Sequence, residues 1–324
     1  MILIISNPLH EFKIEKDTTF AIIQALHAQR IALSHALIRD LLVQDNRVLV
    51  RQTPFIIKEK QTNQWYQLQR QQLTPLNDFQ AILVRTDPPF NSQYLYGTQL
   101  LSVSGHQAVF NHPQGLRDYN EKLAILHFPS WITSTIVTAH LTDINHFLQQ
   151  EKDIIVKPLN GMGGKEIYRL TLHDPNKNSI LEFLTRGQTR SIMAQRYIPE
   201  VIKGDKRVLL IDGTVIPYAL ARIPRSGETR ANLAAGGKGV AQPLSHRDWE
   251  IAKDLAAILK AKGIFLAGLD IIGDYLTEVN VTSPTGFQEI MQQTDCNVAN
   301  IFVQAILTRC ESCLLYTSDA ADER

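Results

Sequence analysis

Residues 264–281, Ile-Phe-Leu-Ala-Gly-Leu-Asp-Ile-Ile-Gly-Asp-Tyr-Leu-Thr-Glu-Val-Asn-Val, constrain the fold more tightly than any other stretch. They read as two strands around a Gly273-Asp274 turn signal, and because successive side chains in a strand point to opposite faces, the loop length decides which residues share a face. A two-residue turn at Gly273-Asp274 pairs Ile272 with Tyr275 and Asp270 with Thr277, leaving Asp270 and Glu278 on opposite faces. An odd loop over residues 273–275 pairs Ile272 with Leu276, Asp270 with Glu278 and Gly268 with Asn280. That register gathers Asp270, Glu278 and Asn280 on one face and Leu269, Ile271 and Val279 on the other. The apolar split favours the odd loop. Carboxylates that merely solvate an edge strand are the commoner use of such residues, but directly opposed like charges repel unless a cation lies between them. Two carboxylates and an amide oxygen are hard donors that suit Mg²⁺, so the register points to a metal site.

The rest of the chain divides by texture. Residues 2–5 are continuously apolar, and Phe20, Ile23, Leu26 and Ala28 recur at helical spacing behind Asp17-Thr18-Thr19, an N-cap with its first turn. Residues 48–52 and 55–58 read as a strand pair, and 81–85 as a buried strand that stops at the rigid Asp87-Pro88-Pro89-Phe90 loop. Strands joined by helices predict an α/β unit with a largely parallel sheet over residues 1–118. Beyond Asn120 hairpins take over. A strand at 154–158 runs into Gly161-Met162-Gly163-Gly164 and resumes at 166–170; further strands are expected at 191–197, 206–211 and 215–222, the last two joined by Asp212-Gly213. A helix over 249–262 carries Ile251, Leu255, Ile258 and Leu259 on one face. Residues 310–324 show neither periodicity nor turn logic and read as a non-functional tail.

With 33 Lys+Arg against 32 Asp+Glu, the net charge of +1 provides no global field for nucleic acid or an anionic membrane, so any anion must be held by local groups. The Gly161 to Gly164 loop follows the strand that carries Lys157. It can cradle phosphate or be an ordinary glycine hairpin, and its spacing matches neither the Walker loop nor the dinucleotide fingerprint. Gly236-Gly237-Lys238-Gly239, after Arg222, Arg225 and Arg230, reads as a surface loop. Arg85 sits where an apolar strand ends, the place where open α/β sheets bind ligands. Arg207 and Arg222 end or interrupt strands. All three are candidate anion contacts, although isolated arginines are commonly just solvated. The chain has no 18-residue apolar run, and Cys296, Cys310 and Cys313 are too few and too crowded to staple it, which favours a reducing cytoplasmic setting. Cys310-x-x-Cys313 resembles a redox pair by spacing alone. No Ser/His/Asp or Cys/His arrangement is present.

As a set the residues are similar to a known family. Asn-His-Pro-Gln-Gly-Leu-Arg-Asp-Tyr-Asn-Glu-Lys at 111–122, the segments 157–164, 204–207 and 227–237, and the strings Arg-Thr-Asp-Pro-Pro-Phe at 85–90 and Val-Asn-Val-Thr-Ser-Pro-Thr at 279–285 closely resemble bacterial glutathione synthetases of the ATP-grasp superfamily, over residues 1 to about 309. The resemblance implies an ATP-grasp fold, α/β and α+β. An N-terminal α/β domain at 1–118 on the peptide side would precede a central subdomain at 119–202 and a C-terminal subdomain at 203–309. It implies that Lys122, Lys157, Gly161, Met162, Gly163, Gly164, Gln195, Tyr197, Ile198 and Asp205 meet ATP, and that Asp270, Glu278 and Asn280 hold Mg²⁺, or Mn²⁺ in its place. By the same carry-over Arg85, Arg207, Arg222, Arg230, Asn232, Ser283, Pro284 and Thr285 surround the peptide substrate, with Arg207 and Arg222 catalytic. The implied reaction joins γ-glutamylcysteine to glycine through an acyl phosphate. The implied assembly is a homo-oligomer, a tetramer, without nucleic-acid or membrane partners. Asn160 stands where similar sequences often have Asp, and Lys165 where a small residue is common. Another ATP-grasp carboxylate–amine ligase, or a nucleotide-binding regulator without turnover, are the competing readings.

Overall fold

The strand Ile2–Ser6 is apolar up to its last residue because it lies mid-sheet and is buried throughout. It pairs in parallel with Leu33–Ala36 on one side and Ala81–Arg85 on the other, and Val109–Phe110 extends the parallel portion. The computed structural model describes residues 1–58, 64–224 and 238–319, with side chains through residue 311. In it an antiparallel portion completes an eight-stranded sheet. The expected strand pair at 48–52 and 55–58 is instead one strand, Arg47–Ile57, whose two halves find different partners and so need no turn between them. Its first half pairs with Leu41–Gln44 and Gln72–Pro75, its second with Leu33–Ala36 and Tyr66–Leu68. The helix Thr18–Ala28 starts where Asp17 accepts a hydrogen bond from the Phe20 N–H at 2.9 Å. Phe20, Ile23 and Leu26 are buried under it, while Ala28 faces solvent.

Two antiparallel sheets follow. The first has four strands in the order Tyr168–Thr171, Asp153–Pro158, Ile192–Arg196, Thr135–Thr138. The helices Leu141–Glu151 and Lys177–Thr185 supply Ile144, Phe147, Leu148, Leu181 and Leu184 to a core of its own around Ile154, Val156 and Leu170. The second has five strands in the order Lys238–Pro243, Thr214–Ile223, Asp205–Ile211, Leu266–Ile272, Tyr275–Asn280. The helix His246–Ala261 covers it with Ile251, Leu255 and Leu259, one residue every four; Ile258 falls off that stripe and is 41% exposed, contrary to its expected place on the buried face.

The eight-stranded and five-stranded sheets share continuous cores. Part of that sharing comes from the helix Val298–Asp319, whose Phe302 packs edge-on against Phe265 and Phe287. This helix does not stop at Arg309. Cys310, expected in a tail, is buried, with its Sγ 3.7 Å from the Gln80 carbonyl. Arg309 pairs with Asp212 at 2.7 Å. The side chain of Cys313 lies outside the described residues. No helix among the described residues is long and apolar enough to cross a membrane.

Candidate active site

The register that groups Asp270, Glu278 and Asn280 is present, but the odd residue sits elsewhere. The turn has two residues: Ile272 pairs with Tyr275 and Ile271 with Leu276, so the expected Ile272–Leu276 pair does not form. A bulge then places the extra residue, Thr277, inside the ladder, after which Asp270 faces Glu278, Leu269 faces Val279 and Gly268 faces Asn280. Parity demanded one unpaired residue and left its position open. Gly273 takes φ of 56°, which suits glycine in so tight a turn, and the bulged Thr277 hydroxyl donates to the Asp270 carbonyl at 3.1 Å.

Charges are packed around this ribbon. Asp270 is buried and accepts from Arg207 through both oxygens, Nε to Oδ1 at 2.6 Å and Nη2 to Oδ2 at 3.1 Å, and from Arg222 Nη2 at 2.8 Å. Burial pushes its carboxyl upward, but the two guanidiniums overcome that and hold it well below the usual carboxylate range. Arg222 also pairs with Asp205 at 2.6 Å. Burial pushes the Asp205 carboxyl up to about 6, with Arg222 opposing and Asp270 adding, and its Oδ1 is buried without a partner among the described residues. Lys122 Nζ reaches Glu278 at 3.1 Å and donates to the Gly161 carbonyl at 2.6 Å. Lys157 Nζ donates to the Thr277 carbonyl at 3.0 Å; burial brings its ammonium down to about 8, against the pull of Glu278.

These groups line two adjoining spaces. An open cleft of about 1050 Å³ is bounded by the glycine loop, Lys122, Arg207, Arg222, the metal-type triad and residues 282–285. Beside it lies a slot of about 770 Å³ between Ile155, Gln195, Tyr197, Ile198 and Ile272, with Lys157, Asp270 and Glu278 at its inner end. Lys122, Lys157, Gly161 to Gly164, Gln195, Tyr197, Ile198, Asp205, Arg207, Arg222, Asp270, Glu278, Asn280 and Ser283 to Thr285 are thus brought together in one continuous space. Arg85 is set back from it: its buried guanidinium donates to the Pro284 carbonyl at 3.0 Å and to Thr19 Oγ1 at 3.2 Å, so it reaches the cleft through residue 284. Arg230 and Asn232 lie outside the described residues.

Three supporting residues were not singled out from sequence. Glu121 accepts through one oxygen from the Val281 and Thr282 N–H groups, both at 3.0 Å, and from the Thr282 hydroxyl at 2.7 Å, pinning the strand end that leads into residues 283–285. Asn111 ties the first sheet to the third: its amide donates to the Leu266 and Val281 carbonyls and accepts from the Phe265 and Leu266 N–H groups. Gly268 has the Arg207 side chain laid over it; a Cβ there would lie 2.7 Å from Arg207 Cδ and 3.0 Å from Pro284 Cβ. Only Gly268 carried a signal, since glycine inside a strand marks a close approach.

The models of two prokaryotic glutathione synthetase domains match the chain, the N-terminal domain over residues 1–117 and the ATP-grasp domain over residues 121–295. The chain belongs to the prokaryotic glutathione synthetase family. Glutathione synthetases of Neisseria meningitidis serogroup A and Nitrosomonas europaea are 52% and 47% identical to it over 310 and 306 residues, covering 94% and 93% of this chain and 98% and 96% of theirs. Among solved structures, D-cycloserine synthetase DcsG superposes with a TM-score of 0.66 at 16% identity, covering 96% of this chain and 100% of that one. The RimK-domain ATP-grasp protein of Sphaerobacter thermophilus gives 0.62 at 13%, covering 94% and 99%. At such identities the likeness shows the fold alone, and that fold is ATP-grasp. Membership in this family makes the chain an ATP-dependent ligase.

Proposed function

We propose that the cleft and slot join γ-glutamylcysteine to glycine, driven by ATP, as a glutathione synthetase. The observation that carries this reading is the meeting in one space of two lysines, a glycine loop, two buried arginines and two opposed carboxylates, with an apolar slot adjoining. A carboxylate is a poor acyl donor, so ATP phosphorylates the cysteinyl carboxylate; the glycine amine attacks the acyl phosphate and inorganic phosphate leaves. Lys122 and Lys157 take the phosphates, and the flat slot takes the base. Arg207 and Arg222, held rigidly by Asp270 and Asp205, offset the charge that spreads over the transferring group. The loop at Gly161 to Gly164 covers the phosphates and keeps water from the acyl phosphate. Ser283, Pro284 and Thr285 line the peptide side, positioned by Arg85 and Glu121.

Asp270, Glu278 and Asn280 fit a hard divalent cation, Mg²⁺ with Mn²⁺ as a substitute. The two carboxylates face each other across the ribbon, and the Asn280 amide turns its nitrogen to the Gly268 carbonyl at 3.2 Å, which leaves the oxygen end for a ligand. Bound there, such an ion supplies positive charge against the phosphate oxygens. The peptide side falls to residues 1–118 with 203–309, and the loop side to 119–202. Purified protein given γ-glutamylcysteine, glycine and MgATP should release ADP, phosphate and glutathione in equal amounts. No ADP release with all three present would sink the proposal.

A further inference from the structure

Gln195 lies on the Ile192–Arg196 strand directly opposite Thr135 on one side and Ile155 on the other, so its side chain shares the slot-lining face with Ile155. Its Nε2 donates to Thr135 Oγ1 at 3.0 Å, and Thr135 Oγ1 in turn donates to the Thr133 carbonyl at 2.8 Å. A hydroxyl carries one proton. Thr135 commits that proton to Thr133, so toward Gln195 it can only accept, and the half of the amide that faces it must be the NH₂. The neighbour's hydrogen count therefore settles an amide orientation that atom positions alone leave ambiguous. Gln195 Oε1 has no partner among the described residues, yet it is not one of the sealed, unpartnered atoms, so it opens on the slot that this side chain lines.

Resting on the reading that the slot takes the nucleotide base, we propose that Thr135 is a positioning residue that fixes Gln195 as a hydrogen-bond acceptor and so selects a 6-aminopurine over a 6-oxopurine. Adenine presents an amino donor at its six position, which meets the fixed carbonyl. Hypoxanthine and guanine present an oxygen there, which sets acceptor against acceptor and leaves that pair of oxygens without a proton between them. Without Thr135's hydroxyl the amide gains no advantage from either orientation and can turn its NH₂ to the base.

Inosine nucleotides isolate this contact, because hypoxanthine lacks guanine's additional amino group. In the full chain, kcat/KM for ATP and ITP would be measured with dipeptide and glycine saturating, and binding of MgADP and MgIDP by calorimetry. The wild type should prefer the adenine nucleotides. Thr135→Val keeps the branched shape and removes the hydroxyl; it should lower the adenine-to-hypoxanthine ratio about tenfold or more in both measurements, and Thr135→Ser should keep the wild-type ratio. Thr135→Ala serves if valine unfolds this edge strand. An unchanged ratio with both nucleotides weakened equally, or a wild type without preference, overturns the proposal. If the wild type does not ligate but the diphosphate binding ratios shift as described, the ligase reading fails and this one stands.

Discussion

Asp270→Asn and Glu278→Gln should separate a structural role from a chemical one, because the two carboxylates share the ribbon face but differ in what surrounds them. The cluster of Arg207, Arg222, Asp205 and Asp270 is neutral as it stands, and Asp270→Asn leaves it with one uncompensated buried positive charge. Two charge contacts are lost, each about 4 kcal/mol at an effective dielectric constant of about 20. Part of that is returned because a carboxylate no longer has to be desolvated, which leaves a destabilisation of about 3–5 kcal/mol, the range for breaking a buried pair. A fall in melting temperature on the order of 10 °C should accompany it. The Glu278 side chain is 19% exposed, faces the buried Lys122 and Lys157 and repels Glu121, so Glu278→Gln loses attractive contacts but relieves one repulsion and should cost less than Asp270→Asn, about 1–3 kcal/mol. Under the proposed metal role both should nonetheless cut turnover by orders of magnitude at saturating Mg²⁺. Because Arg207 and Arg222 hold Asp270 below the usual carboxylate range, its contribution is present above that range and is lost only as pH falls through the depressed value. Titration of Asp270 itself should therefore add nothing to the pH dependence of the Asp270→Asn defect between pH 6 and pH 8, where any change comes from Asp205 and Lys157 beside it. Urea unfolding followed by tryptophan fluorescence, beside ADP release below each variant's transition, checks all of this. Equal stability losses for the two variants would refute the electrostatic argument, and near-normal turnover of either would remove that residue from the site.

Lys157, brought down to about 8 chiefly by burial, is partly neutral near pH 8.5; phosphates arriving beside it favour the ammonium, so MgATP binding should take up protons there. Calorimetry in buffers of different ionisation enthalpy measures the uptake, and Lys157→Gln should abolish it. In the protein alone the lowered value means that stability rises as pH climbs from about 8 toward the unfolded lysine's 10.5, a slope that Lys157→Gln should remove from a urea-unfolding series. Gly268→Ala sets a Cβ against Arg207 and Pro284; it should cut kcat at least tenfold while lowering stability by only about 1–3 kcal/mol, and unchanged kcat would show that Arg207 can move at no loss. Deleting residues 312–324 should leave activity and melting temperature nearly unchanged, whereas Cys310→Asp, which puts a charge into the shared core, should lower the melting temperature markedly in a thermal scan.

What the sequence disclosed and what it hid follow from the range of the interaction in question. The Thr18–Ala28 helix, the parallel strands and the ribbon carrying Asp270 and Glu278 were legible because cap chemistry and face alternation are local. The bulge at Thr277 was not, because a three-residue loop and a two-residue turn with a bulge satisfy the same parity. Arg47–Ile57 read as two strands because Thr53-Pro54 separates two apolar runs, and it is at that point that the partners change from 41–44 and 72–75 to 33–35 and 66–68. Glu121 and Asn111 stand inside the 111–122 string that carries the family resemblance, but what they tie together was invisible because their partners lie more than 150 residues away.

The division of the cores explains how these long-range contacts can serve chemistry. The first and third sheets are locked through shared apolar packing; the four-stranded sheet has its own core, joins the shared one through Met193 with Val137 packed against it, and at the site meets Lys122 and the third sheet through polar contacts. Among these are Lys157 to the Thr277 carbonyl, Lys122 to the Gly161 carbonyl, and Arg196 Nη2 to the Tyr275 hydroxyl at 3.3 Å. A lysine ammonium on a neutral carbonyl makes a weaker bond than the same ammonium on a phosphate oxygen. Under the proposed nucleotide role, phosphate oxygens would thus take the place of the neutral carbonyl partners of Lys122 and Lys157, with Lys122 still facing Glu278.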